Sequence, residues 1–248
     1  MIILNAGVPR SGTVLVNAII RELLSRIVPQ IRQANPHGAE LTRLVQHLQS
    51  SGLDRYQTVV VHTHSWTAEV GQKLKGSPHV RAIANYRDPR DVCVSLMKLH
   101  DQDLDVAAKL VEAGFRDMQA YADDTGALVL PYELLVTGRA MAIYQIARQL
   151  DLWPGMDEVA RVTEATEIEK HREIMEKVQA GEIDNLKKRK NTKRVLVEDP
   201  KTLINDRHIQ SGVSGRWRQE LDAAQQDQAN ARFEPLLKRY GYWEEADG

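Results

Sequence analysis

The chain has 248 residues, a formal net charge of −1 and 42% hydrophobic residues, enough apolar material to bury one sizeable core as a single α/β domain over residues 1–248. The near-zero charge removes any global electrostatic argument for nucleic acid or an acidic membrane surface, and no apolar run approaches the roughly 18–20 residues of a membrane span. A single cysteine, Cys93, excludes an internal disulfide and fits a reducing compartment.

In chain order, "MIILNA", "QTVVVHTH", "HVRAIANYR" and "ALVLPY" read as short strands buried on both faces. The first of them lacks the basic n-region and long apolar stretch of a secretion signal, so the expected location is cytoplasmic. Between and after the strands lie "GTVLVNAIIRELLSRI", "AELTRLVQHLQSS", "PRDVCVSLMKLH", "DLDVAAKLVEAGFRDMQAYADD" and "GRAMAIYQIARQL", all with helical apolar spacing. A very polar helix is expected from Met156 to about Ala180, and a last one through about Tyr240. This alternation predicts βαβ units: a three-layer α/β fold, with a mainly parallel sheet flanked by helices, like that of P-loop nucleotide kinases. "KKRKNTKR", Lys187 to Arg194, reads by default as a solvated loop or helix end, and alternatively as a lid over an anion.

"GVPRSGTVL" follows the first strand and has the G-x-x-x-x-G spacing of a phosphate loop. A strand, a glycine-rich turn and a helix N-terminus aim backbone N–H groups at one point, so Arg10, Ser11, Gly12, Thr13 and Val14 should hold an anion. Thr13 and Val14 stand where a nucleotide triphosphatase carries Lys and Ser/Thr, which leaves no partner for β/γ-phosphates and no obvious magnesium ligand. Arg10 instead offers a fixed charge and a planar fork suited to phosphate or sulfate. A second stretch, "NYRDPRDVCVSL", leaves a strand end with Arg87 and reaches Ser95 two turns into a helix. Together these two side chains could converge on one tetrahedral anion. Read singly, Arg87 could equally pair with Asp88 or Asp91, and Ser95 could be a plain helix-face residue.

"GVPRSGT", "YRDPRDVCVS", "LPYELL" and "SGVSGRW" occur in that order. They resemble the four recurring stretches of sulfotransferases that use 3′-phosphoadenosine 5′-phosphosulfate (PAPS). The resemblance implies that Arg10, Ser11, Gly12, Thr13 and Val14 bind the 5′-phosphosulfate, and that Arg87 and Ser95 bind the 3′-phosphate. It also implies that Tyr132 lies near the adenine, that 3′,5′-adenosine bisphosphate (PAP) is the product, and that no catalytic metal is needed. Arg10 stands where the cytosolic enzymes have lysine, and "VPRSGT" looks more like the loop of tyrosylprotein sulfotransferases. The last stretch departs from the family's R-K-G-x-x-G-D-W: Gln210 and Ser211 replace the two cations, while Gly212 and Gly215 still let the backbone approach the 3′-phosphate. Arg207, His208 or the basic run could compensate, and Trp217 reads as an apolar anchor for the last helix.

"VVVHTHSW" resembles the family's "KTHLP", which places His64 on the catalytic base and His62 on the lysine. An imidazole, with an ordinary pKa near ~6.5, can accept a hydroxyl proton around neutrality. Glu69 is the alternative, because tyrosylprotein enzymes use a glutamate. The implied activity is sulfuryl transfer from PAPS to the hydroxyl of a small-molecule, lipid or glycan acceptor. Two alternatives stand beside it: a P-loop kinase or triphosphatase, and a non-catalytic nucleotide-binding protein of the same fold.

Overall fold

The computed structural model describes residues 1–28, 30–36, 38–50, 58–167, 169–170, 173, 176–177, 187–191, 194–198 and 213–243. All four expected strands form: Ile2–Ala6 (β1), Thr58–Thr63 (β3), Val80–Tyr86 (β4) and Leu128–Pro131 (β5). A fifth, Ile31–Ala34 (β2), escapes the sequence pattern because its residues, IRQA, alternate weakly and include two polar side chains. Those side chains are tolerated at the sheet edge, where β2 pairs with β3 alone. The sheet runs β2-β3-β1-β4-β5 with every pairing parallel.

Helices cover both faces, which is why the central strands are mostly apolar. On one face Ile3, Val60, Ile83 and Leu130 pack against Thr13–Leu24 (α1), Arg139–Gln149 (α7) and Met156–Ala165 (α8). On the other, Leu4, Val59, Val61, Ala82 and Ala84 meet Ala39–Ser50 (α2), Ala68–Leu74 (α3), Pro89–His100 (α4) and Leu104–Thr125 (α5). The helices Tyr132–Val136 (α6), Trp217–Glu220 (α9) and Ala223–Tyr240 (α10) follow along the chain. β1 feeds α1 on one face, whereas its neighbours β3 and β4 feed α3 and α4 on the other. The carboxyl ends of these central strands therefore flank a topological switch point, where open α/β sheets bind ligands.

The structure corrects two expectations. The basic run is not a loop or helix end: Lys187–Asn191 (β6) and Arg194–Glu198 (β7) form an antiparallel pair. The apolar "VLV" of Val195 to Val197 supplies the strand-forming residues that the count of cations obscured. The polar helix expected to reach Ala180 is interrupted after Ala165, where the Thr166 N–H turns back onto the Val162 and Thr163 carbonyls, while the described residues beyond, Glu169, Lys170, Glu173, Glu176 and Lys177, are again helical. Much of the chain from there to Ala180 lies outside the described residues. Among the described residues, no helix is long and apolar enough to cross a membrane.

α5 fixes the relation between the sheet and the loop after β1. Asp103 caps its start by accepting from the Val106 N–H, and Gly126 (φ 62°) ends it. The fully buried Tyr121 projects from α5 into the sheet, where its hydroxyl donates to the Leu4 carbonyl of β1 at 2.8 Å and accepts from the Ile83 N–H of β4 at 3.2 Å. One side chain so ties two central strands to one helix. Tyr121→Phe should destabilise the protein by about 1–3 kcal/mol, the cost of leaving buried hydrogen-bonding groups unsatisfied. Urea unfolding with an unchanged m-value would measure it; a loss below about 0.5 kcal/mol would show that the strands satisfy these groups without the hydroxyl.

Candidate active site

The loop between β1 and α1 is held by β4. Asn85, wholly buried near the end of β4, donates through Nδ2 to the Ser11 carbonyl, and to Ser11 Oγ at 2.7 Å. Its own carbonyl accepts the Val8 N–H at 3.0 Å. A Cβ at Gly7 would sit 2.5 Å from Asn85 Oδ1 and 2.6 Å from its carbonyl oxygen, so only glycine passes at this point. On the far side, Asn5 Nδ2 donates to the Thr13 carbonyl at 2.9 Å. Arg10 (φ 66°) and Gly12 (φ 93°) both turn through the left-handed region, which Gly12 adopts without steric cost and Arg10 does not. Gly12 is the N-cap of α1 and no side chain caps that end. The helix thus presents its first backbone N–H groups, and its positive dipole end, uncovered by any capping side chain.

The second expected stretch meets this loop. Ser95 Oγ accepts from Arg10 Nε at 2.9 Å, which joins the two motifs through a direct hydrogen bond. The Tyr132 ring lies over Gly12, whose Cβ would approach it to 3.1 Å, and the Arg87 guanidinium stacks on that ring 4.3 Å from its centroid. Tyr132 belongs to the first turn of α6 rather than to the strand before it, and burial raises its hydroxyl pKa, an effect that Arg87 opposes. Arg87 Nη2 also donates to Asp91 Oδ2 at 2.9 Å and to the Val213 carbonyl at 2.7 Å. Asp91, buried, takes two more hydrogen bonds, from the Gly215 N–H (2.8 Å) and the Trp217 N–H (3.1 Å). One carboxylate thus docks the C-terminal glycine stretch onto the start of α4. Arg90 stacks on the Trp217 ring at 3.9 Å and pairs with Asp88, and Trp217, itself at the start of α9, shares a buried cluster with Ala229, Phe233 and Leu237 of the last helix. Gln210, Ser211 and Gly212, with Arg207 and His208, lie outside the described residues.

β3 ends at Thr63, so His64 stands just beyond the strand while His62 lies within it, buried. Their rings meet edge-on, with centroids 5.0 Å apart. Thr63 Oγ1 donates to the Pro36 carbonyl at 2.9 Å, which pins the strand end. His64 Nδ1 lies 2.9 Å from the Gly7 carbonyl. A carbonyl only accepts, so Nδ1 carries the proton and Nε2 bears the basic lone pair of the neutral ring. Glu69 is mostly exposed, bound by Lys73 and Gln46, and these partners, Lys73 first, hold its carboxyl below its ordinary pKa. That environment suits a surface ion pair and weakens the carboxylate as a base. Beside His64 lies a narrow recess with room for about one water, lined by Gly7, Trp66, Asp117, Met118 and Tyr121 among others.

Two buried donors at this centre have no hydrogen-bond partner among the described residues: Thr13 Oγ1 and Arg87 Nε. An oxyanion with several acceptor oxygens is a ligand that satisfies donors of this kind, so the residue types fit a phosphate- or sulfate-bearing ligand. Arg10 is linked to Ser95, Gly12 and Arg87 both meet the Tyr132 ring, and His64 touches the same loop at the Gly7 carbonyl. Ser11 is different: its side chain is turned inward onto Asn85 and Val8, so its hydroxyl braces the loop. Asn5 and Asn85 as supports, and Asp91 as an organiser, emerge only from the structure. The asparagines carried a signal, being lone amides inside otherwise apolar strands.

No protein-family model matches the chain, and no curated protein matches it by sequence. Solved structures do match by shape. A mouse sulfotransferase, SULT7A1, complexed with PAP is similar over 99% of this chain and 85% of its own, with a TM-score of 0.60 and 16% identity. Retinol dehydratase bound to androsterone and the inactive cofactor PAP is similar over 96% of this chain and 80% of its own, with a TM-score of 0.58 and 16% identity. The same enzyme with retinol and PAP gives 0.58 and 16%, over 96% and 81% of the two chains. The chain therefore has the α/β fold of these PAP-bound proteins.

Asp91 gives the arrangement a direct test. Asp91→Ala would leave a buried guanidinium and two backbone N–H groups without their acceptor, and should cost about 3–5 kcal/mol, the range for breaking a buried ion pair on one side. Urea unfolding would read the loss. A change under about 1 kcal/mol would mean that the Val213–Trp217 segment is held by Trp217 packing alone.

Proposed function

We propose that this protein is a PAPS-dependent sulfotransferase, transferring a sulfuryl group to a hydroxyl of a small acceptor and releasing PAP. The observation that carries this reading is the joining of the phosphate loop to the second motif through Arg10 and Ser95, with Arg87 Nε and Thr13 Oγ1 left as buried donors. The shared fold with PAP-bound sulfotransferase and retinol dehydratase supports it. A kinase reading lacks the loop lysine, since Thr13 occupies that position.

PAPS supplies an activated sulfuryl group on a phosphate leaving oxygen. The loop N–H groups, Thr13 and the α1 dipole hold the 5′ end. Arg10, always charged, shifts from Ser95 toward the leaving oxygen and stabilises its growing negative charge. Arg87 and Ser95 bind the 3′-phosphate, and the Tyr132 ring, braced by Arg87, lies against the nucleoside. His64 takes the acceptor proton on Nε2 while the Gly7 carbonyl stabilises the imidazolium through Nδ1–H, so the base is oriented by the loop that holds the donor. The acceptor oxygen forms its bond to sulfur as the bond between sulfur and the phosphate oxygen breaks. No metal step is required by this assignment.

The 3′-phosphate assignment is tested by ligand discrimination. Arg87→Ala should weaken PAP binding by about 1.5–3 kcal/mol, the range for hydrogen bonds to charged groups, and leave adenosine 5′-phosphate binding unchanged. Calorimetry with both ligands controls for any loosening caused by the unpaired Asp91. Equal losses for the two would falsify the role of Arg87.

The base is tested by kinetics. His64→Asn should keep PAP affinity within about twofold and lower kcat by ~10²–10⁴, the usual contribution of a positioned general base. The kcat/KM profile should also lose its acidic limb. Near-normal turnover in that variant, with activity abolished in Glu69→Gln, would transfer the role to the carboxylate.

A further inference from the structure

His62 is a buried side chain next to the base that the reaction leaves unused. It is 5% exposed and lies on β3 two residues after Val60, so both point to the sheet face covered by α1. A valine would continue that apolar row, as Val60 and Ile3 do, whereas an imidazole gives up hydration to enter it. Two neighbours define its place. In the parallel pairing of β1 with β3 it stands beside Asn5, whose amide donates to the Thr13 carbonyl at the first residue of α1. Its ring also meets the His64 ring edge-on, with 5.0 Å between centroids and 78° between planes.

The His64 ring needs a second constraint of this kind. The torsion that turns an imidazole is a terminal sp³–sp² one with broad wells, and the hydrogen bond from Nδ1 to the Gly7 carbonyl fixes one atom of the ring. Rotation about that Nδ1–H···O line still carries Nε2, across the ring, through an arc. A second ring held nearly perpendicular against the first closes that arc. His62 can act as the stop because its own backbone is held: β3 is paired with β2 on one side and with β1 on the other.

We propose that His62 is the positioning residue of His64: its ring holds the imidazole in the plane that keeps Nδ1–H on the Gly7 carbonyl and Nε2 toward the acceptor. The task given to Nε2 rests on the sulfotransferase reading; the ring contact does not. Because Asn5 ties the same stretch of sheet to the start of α1, the imidazole is held to the donor loop at two places. One is the Gly7 carbonyl, and the other runs through His62 and Asn5 to Thr13. Misplacing a reacting group by about 1 Å costs on the order of 10² in rate, so a contact that adds little to folding can decide turnover.

Two substitutions in the full chain separate positioning from packing. His62→Val extends the apolar row and removes the ring, while His62→Phe keeps a ring at that place. His62→Val should lower kcat by about tenfold or more, with PAP affinity within about twofold and thermal unfolding unchanged or raised. His62→Phe should restore kcat to within about threefold of wild type. ¹⁵N spectra of histidine-labelled protein at about pH 8, above the ordinary imidazole pKa of ~6.5, add a readout that needs no substrate. His64 should be the single Nδ1–H tautomer in wild type and in His62→Phe, and a tautomer average in His62→Val. An unchanged kcat in His62→Val, a His64 that keeps one tautomer there, or a loss that a folded His62→Phe leaves in place overturns the inference. If the larger Phe ring prevents folding, the His62→Val results decide. A wild type that turns over no PAPS overturns the sulfotransferase reading alone, and the tautomer then decides the role of His62.

Discussion

The site depends on one side chain of the sheet, the amide of Asn85. It reaches across from β4 to the loop after β1 and holds Ser11 by both its carbonyl and its hydroxyl, while the Asn85 backbone holds Val8. Gly7 must then lack a Cβ, because the loop crosses Asn85 at contact distance, and the chain must pass through positive φ at Arg10 and Gly12 to enter α1. The unfavourable backbone of Arg10 persists because Asn85 fixes the loop on one side and Asn5 fixes it on the other. A loop made rigid before any ligand arrives loses little of the binding energy to its own ordering.

Arg87 is balanced differently. It is buried, and its charge is offset by Asp91, by the Val213 carbonyl and by the Tyr132 ring, yet its Nε has no described partner. Such an arrangement holds a guanidinium in one orientation while leaving one donor for a ligand. The same Asp91 oxygens gather the Gly215 and Trp217 N–H groups, so the segment after residue 212 is positioned by the residue that positions Arg87. The docking of that segment rests on a carboxylate and on Trp217 stacked against Arg90.

The fold was legible where strand and helix periods were strong. The buried strands and the amphipathic helices α1, α4, α5 and α7 stand where apolar spacing placed them. β2 was not legible because an edge strand needs neither two apolar faces nor strong propensity, and the β6–β7 pair was hidden by its cations. Within the site, glycine spacing and the arginine at a strand end located the loop and Arg87, since those residue types answer to backbone sterics and fixed charge. The contact between Arg10 and Ser95 could not be read: 85 positions separate them and only the β1–β4 pairing brings them together.

His64 shows how far geometry goes beyond spacing. A two-residue interval in "VVVHTHSW" suggests two equivalent histidines on one side of a strand, but β3 stops between them. His62 stays in the sheet, while His64 swings to the Gly7 carbonyl and takes the tautomer whose basic nitrogen is Nε2. That carbonyl belongs to the first residue of the loop after β1, so the imidazole and the loop are parts of one hydrogen-bonded unit, and a displacement of the loop would disorient the ring. Glu69, on the first turn of α3, is bound to Lys73 and Gln46 and, among the described residues, makes no hydrogen bond to the loop. Proximity to a loop in sequence is available to both residues; a shared hydrogen bond with it is available only to His64, and proton transfer depends on that orientation.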